Sequence, residues 1–233
     1  MATQYQTTQI TPIAFTAAVR LQHSFVASAE KRTLLWLAER TPSWINSDHL
    51  TLLGFAAQLL AGVSYALARW NRYSLLAAIF FLALNWLGDS LDGTLARVRN
   101  CQRPRYGFYV DHIVDTFAAL FLMSGLAFSG YLHPMIAFGL LVAFLMLSIE
   151  VYLTTYALGQ FQLSYWKFGP TEIRLLLALG NLALLRNANV NIFGMKFLLF
   201  DVGGAVAIVG MILMLVVSAV RHTRALYVAE RIQ

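Results

Sequence analysis

Six apolar runs, separated by short segments that carry most of the charge, make up the greater part of the chain. They cover about residues 50–70, 74–96, 108–132, 134–158, 170–185 and 197–220. A bilayer core about 30 Å thick is crossed by a helix of about 20 apolar residues, so each run predicts a membrane span. The fifth is the shortest and is expected to be tilted or partly re-entrant. Ahead of the runs, Glu30, Lys31, Arg32, Glu39 and Arg40 alternate with Leu34, Leu35, Trp36 and Leu37. That mixture is too charged to span, and it predicts an amphipathic helix over 28–41 lying at the interface, with Trp36 as an anchor. Pro42 ends it, because its ring removes a donor and disfavours helix just before it.

Residues 1–27 are polar and rich in Thr and Gln. The apolar patch at 13–19 has no basic segment before it, so no cleaved signal is expected. No linker, charge block or repeat divides the remainder. The expectation is one all-α membrane domain over 48–222 and a tail at 223–233.

Composition agrees with the pattern. The chain is 59% hydrophobic and only 12% charged, with a mean hydropathy of +0.64, which marks an integral membrane protein. The net charge of +6 is spread between the apolar runs rather than gathered in a patch, which argues against nucleic-acid binding. The single Cys101 excludes an intramolecular disulfide framework. With six spans, one side holds Arg20, Lys31, Arg32, Arg40, Arg97, Arg99, Arg103, Arg105, Lys167, Arg174, Arg221, Arg224 and Arg231. The other holds Arg69, Arg72, Arg186 and Lys196. The positive-inside rule then places both termini, and the Arg-rich loop between spans two and three, in the cytosol. In a bacterium the membrane would be the inner one.

The chemistry-bearing residues lie where spans two and three meet that loop. Four of the eleven acidic residues, Asp89, Asp92, Asp111 and Asp115, fall within 27 positions. Helical residues three, four or seven apart share a face, which aligns Asn85, Asp89, Asp92 and Ala96 on span two and Gly107, Asp111 and Asp115 on span three. Consecutive antiparallel helices bring both stripes to a similar depth near the cytosolic surface. An uncompensated charge at mid-membrane costs at least about 2.5–3.5 kcal/mol, and four anions also repel one another. Two divalent cations would cancel that charge, and all-oxygen ligation selects Mg²⁺, Mn²⁺ or Ca²⁺ over zinc. A metal pair of this kind stabilises displacement at phosphorus. Gly93, Ala96 and Gly107 leave room for a ligand against the backbone, and Arg97 offers a cation for phosphate.

The stretch reads D-x-x-D-G-x-x-A-R, nine residues, then G-x-x-x-D-x-x-x-D. It resembles the signature of the CDP-alcohol phosphotransferases at Asp89, Asp92, Gly93, Ala96, Arg97, Gly107, Asp111 and Asp115. The resemblance extends to the six-span layout and the interfacial helix. It implies transfer of a substituted phosphate group from a CDP-linked donor to an alcohol, with release of CMP, in phospholipid biosynthesis. It further implies two Mg²⁺ or Mn²⁺ ions among the four aspartates, Asp115 as general base, a cytidine diphosphate pocket lined by Gly93, Ala96, Arg97 and Gly107, and a homodimer. Relatives often open span one with Pro-Asn-x-x-Thr. Here Ser47 and Asp48 replace the first pair and Thr51 is kept, so that Asp48 and Thr51 contact the nucleotide, or Ser47 or Asp48 caps the helix.

Other polar residues carry less. Glu150, inside span four, is expected either to pair with Arg174 or to meet a donor or acceptor head group. Lys167, Glu172 and Arg174 are further head-group candidates, although Glu172 also suits a helix N-terminus. His112 is read as packing, and His133 and Asp201 as capping or solvent-facing. CDP-diacylglycerol is the expected donor, with CDP-choline or CDP-ethanolamine and diacylglycerol as the alternative. With little basic charge near the site beyond Lys167 and Arg174, an amine-bearing or neutral alcohol is favoured over a sugar phosphate. A membrane prenyltransferase fits less well because its acidic motifs lie far apart in sequence. A divalent-cation transporter fits less well because no inverted repeat appears.

Overall fold

A computed structural model describes residues 19–21, 27–162 and 169–231, and these alone are considered below. Their architecture is helical: Ala27–Arg40 (α1), Ser47–Leu67 (α2), Ser74–Val98 (α3), Pro104–Phe128 (α4), Pro134–Leu158 (α5), Pro170–Arg186 (α6) and Leu199–Ala229 (α7). Strand is confined to a short parallel pair, Val19–Leu21 (β1) with Gln160–Gln162 (β2), and to an antiparallel hairpin of Asn189–Ile192 (β3) and Met195–Leu198 (β4). The hairpin turns through Phe193 and Gly194, both at positive φ (50° and 80°), as a two-residue loop matching the strand twist requires.

Five helices, α2, α3, α4, α5 and α7, are long and apolar enough to cross a membrane. The sixth predicted span, α6, has 17 residues and a rise of about 25 Å, so it falls short of that length. The last helix departs in the opposite sense. Phe197 lies in β4, and α7 runs 31 residues to Ala229, so most of the predicted tail at 223–233 is helix. At about 46 Å, α7 outreaches a 30 Å core and carries Arg221 and Arg224 past its apolar stretch.

Helix ends follow local chemistry. Pro104, Pro134 and Pro170 begin α4, α5 and α6, where a missing N–H costs nothing. Gly159 closes α5 in the left-handed conformation. Asn46, rather than Ser47 or Asp48, caps α2: its side chain accepts from His49 N–H at 3.0 Å while the His49 ring receives the Asn46 N–H at 3.3 Å.

The core is built on α2, which packs on both α3 and α4. Glycines set these approaches. A Cβ on Gly88 of α3 would lie 2.5 Å from Gly54 N and 2.6 Å from Leu50 O, and one on Gly125 of α4 would strike the Gly62 backbone. Beyond these seams Ala61, Tyr65, Leu75, Ala78, Leu82, Leu122 and Leu126 fill the interior. A buried hydrogen bond of 2.8 Å from Asn181 to the Tyr65 hydroxyl ties α6 to α2. Helix α1 lays Leu34 and Ala38 against Leu50, Leu91 and Leu95, while Trp36 stays exposed beneath the Arg40 guanidinium.

Candidate active site

Asp89 projects from α3, and Asp111 and Asp115 from α4, each one helical turn from the next acid on its own face. The glycine seams pack both helices against α2, and one oxygen of each carboxylate lies within 4.8 Å of the others. Three hard, anionic oxygen donors at this spacing are a donor set suited to Mg²⁺ or Mn²⁺. They line a small cleft together with Thr51, Gly54, Asn85, Asp92 and Ala118.

Asp92 lines the same cleft, outside the 4.8 Å cluster, and its oxygens have partners of their own. One oxygen accepts from Thr51 Oγ1 at 2.6 Å and the other from the Gly93 N–H. Ser47 Oγ donates to the Asp92 carbonyl at 2.9 Å, so the start of α2 is fastened to the acid-bearing turn of α3. Asp48 pairs with Arg103 at the loop before α4. Arg97 is largely exposed and donates to Thr94 Oγ1 at 2.9 Å. A side chain at Gly93 would meet only the Arg97 guanidinium, at 3.5 Å, and one at Gly107 would meet nothing within 4 Å. The surface beside the acids is thus open.

Among the described residues, Arg174 is the one head-group candidate brought into the cluster. Its Nη2 donates to Asp89 Oδ2 at 2.7 Å and its Nε to Asn85 Oδ1 at 2.8 Å, while Asn85 donates to Gly54 O at 2.9 Å. The expected ion pair of Glu150 with Arg174 is therefore not formed. Glu150 instead meets His222 of α7 at 2.6 Å and accepts from Thr154 at 3.0 Å. Continuation of α7 as helix past residue 220 brings His222 within reach. Glu172 is buried and accepts from the Gly169 N–H at 2.9 Å, a capping contact at the start of α6. Lys167 lies outside the described residues. His112 packs, with its ring 4.1 Å from Phe108 and 4.8 Å from Tyr152. The His133 N–H donates to Asp201 at 2.6 Å.

Two contributors escaped the sequence reading. Arg99 donates to the carbonyls of Thr41, Ile45 and Pro42, pinning the α1–α2 connection to the end of α3. Glu30 accepts three hydrogen bonds from α3 and α6. Its spacing was a usable signal, since Glu30, Leu34 and Ala38 stand four apart on the buried face of α1.

The site thus gathers three carboxylates, an arginine and an open glycine-lined surface within a bundle of long apolar helices. The description "CDP-alcohol phosphatidyltransferase" matches residues 44–222, and the chain belongs to that family. Membership implies an enzyme that transfers a phosphate-containing group from a CDP-alcohol to an acceptor. No individual curated protein matches the chain closely.

Proposed function

We propose that the chain is a divalent-metal-dependent phosphotransferase that moves the phosphatidyl group of CDP-diacylglycerol to an alcohol and releases CMP. The observation that carries this reading is the convergence of Asp89, Asp111 and Asp115 oxygens within 4.8 Å in a chain of this family. In it, α6 completes a sixth crossing, the termini and the site face the cytosol, α1 lies at the interface, and the protein works as a homodimer.

Asp89, Asp111 and Asp115, with Asp92 beside them, would hold two Mg²⁺ or Mn²⁺ ions, which would supply positive charge to the diphosphate and to the departing CMP. The chain's own groups do the rest. Gly93, Ala96 and Gly107 leave the backbone open to the nucleotide, with Arg97 at the lip. Thr51 holds Asp92 in the cleft, and Arg103 pairs with Asp48 in the first turn of α2. Asp115 takes the proton of the acceptor hydroxyl as its oxygen bonds to the distal phosphorus. The bond from that phosphorus to the bridging oxygen breaks, and the electron pair leaves with CMP. Positioning contributes much of the rate, because a carboxylate beside cations is a weak base.

The preference for an amine-bearing or neutral alcohol loses its support, since Glu150 and Glu172 are engaged in structural contacts. Arg174 Nη1, buried and without a hydrogen-bond partner, instead offers a donor to an oxyanion. A panel of CDP donors and alcohols scored by CMP release identifies the pair. Asp115→Asn should lower turnover about 10²–10⁴-fold while leaving CDP-donor binding intact. Loss of donor binding in that variant would make Asp115 a ligand only and overturn its role as base.

A further inference from the structure

Beside the acid cluster Arg174 of α6 is joined directly to α3, through its ion pair with Asp89 and its hydrogen bond to Asn85. A second link runs beside it through α1. Glu30 Oε1 accepts from Trp86 Nε1 at 2.9 Å and from Ser90 Oγ at 3.2 Å, both on α3, and from Thr171 Oγ1 at 2.8 Å on α6. The register is informative. Ser90 adjoins Asp89, Trp86 adjoins Asn85, and Thr171 stands one turn before Arg174. Helix α3 thus turns one stripe, Asn85 and Asp89, to Arg174 and the neighbouring stripe, Trp86 and Ser90, to Glu30. Both stripes end on the same turn of α6.

We propose that Glu30 is a positioning residue for the reaction: by bridging Ser90 and Thr171 it sets the separation of α3 and α6, and so the placement of Asp89 against Arg174. The physical case is a matter of reach. Helix α6 makes few contacts with the bundle besides those to α3. At the level of the acids, Asp89 and Asn85 hold α6 through one side chain, Arg174, and the next polar tie, Asn181 to Tyr65, lies about two turns further along α6. The bridge through Glu30 adds a second fixed point at the same level. One carboxylate oxygen receiving an indole N–H and two hydroxyls satisfies donors that would otherwise be left part-buried and unpaired. Neither Trp86 nor Ser90 nor Thr171 has another side-chain acceptor recorded among the described residues. Displacement of reacting groups by about 1 Å costs up to about 10²-fold in rate, so a tether remote from the chemistry acts on turnover.

This inference rests on the proposed transferase reaction, and the test separates the two. The full-length protein is prepared as wild type, Glu30→Gln, Glu30→Ala, Thr171→Val and the Glu30→Ala/Thr171→Val pair. Kinetics of CMP release and thermal melting are measured on all five. Glu30→Gln keeps an oxygen acceptor for all three donors and should retain turnover near that of wild type. Glu30→Ala should lower kcat about tenfold or more with little change in the donor KM. Thr171→Val should lower kcat by less. The melting shifts of Glu30→Ala and Thr171→Val should be non-additive in the double variant, which reports the bridge whether or not CMP is released. Absence of CMP release by the wild type removes the reaction, while coupled melting still supports the bridge. Full turnover in Glu30→Ala, equal losses in Gln and Ala, a loss confined to KM, or additive melting would each overturn the positioning role.

Discussion

Asp92 and Thr51 illustrate how the acids of this site differ from one another. Asp89, Asp111 and Asp115 approach one another, whereas Asp92 is oriented by a hydroxyl from α2 and a backbone N–H of its own helix. A hydrogen bond to a charged acceptor contributes about 1.5–3 kcal/mol, so Thr51→Val should lower turnover about 10- to 100-fold while Thr51→Ser retains most of it. CMP release by the two variants checks this, and equal activity would show that Asp92 needs no such orientation. The motif aspartates were legible because their spacing lies within two consecutive helices. The partners of Arg174, Glu150 and Glu30 were not, because they lie 85, 72 and up to 141 residues away. Side-chain pairing over such separations depends on which helix faces meet, and periodicity within one helix is silent on that.

Among the elements, α2 sets the dimensions of the site. Its backbone touches α3 at Gly54 and Gly88 and α4 at Gly62 and Gly125, and those two helices carry the acid trio. Gly88→Ala drives a methyl group into backbone, which no rotamer change relieves, and should lower unfolding free energy by about 1–3 kcal/mol with loss of activity. Gly203→Ala in α7, where nothing lies within 4 Å, should instead leave stability unchanged or raise it by up to about 1 kcal/mol. Denaturing-detergent titration of both variants distinguishes a packing seam from a general intolerance of alanine. The six apolar runs located α2 to α7, and the amphipathic pattern located α1, each to within a few residues except at the end of α7, which runs on to Ala229. They did not reveal the glycine seams, since a glycine in a membrane helix looks the same whether it faces a neighbour or lipid. Nor did they reveal the cap, because Asn46 precedes the run rather than belonging to it.

The molecule as a whole presents five clear spans, a shorter α6 and a basic excess on one predicted side. Cys101, the sole cysteine, is exposed in the connection between α3 and α4, the two helices that carry the acids. It therefore reports which way the site faces. A membrane-impermeant maleimide should modify Cys101 in inverted vesicles and leave it unmodified in intact cells. The opposite result would place the acids on the outer face and remove the orientation drawn from the arginines. Length and hydropathy fixed the membrane class from the sequence, but the shortness of α6 and the overlong α7 lie at helix ends. There Pro170, the β3–β4 hairpin and the polar last turns of α7 decide the outcome, rather than the apolar core of each run.

The pairing of Asp89 with Arg174 also bears on how the protein is made. Translation at about 5–20 residues per second means that the 85 residues between them take about 4–17 s to appear. For that interval the nascent chain holds its anions without the arginine that later meets them. Thr51, by contrast, has already been synthesised when Asp92 emerges. The order of manufacture thus leaves the acid-bearing helices waiting for α6, and any factor that shields them in the meantime would act before the chain is complete.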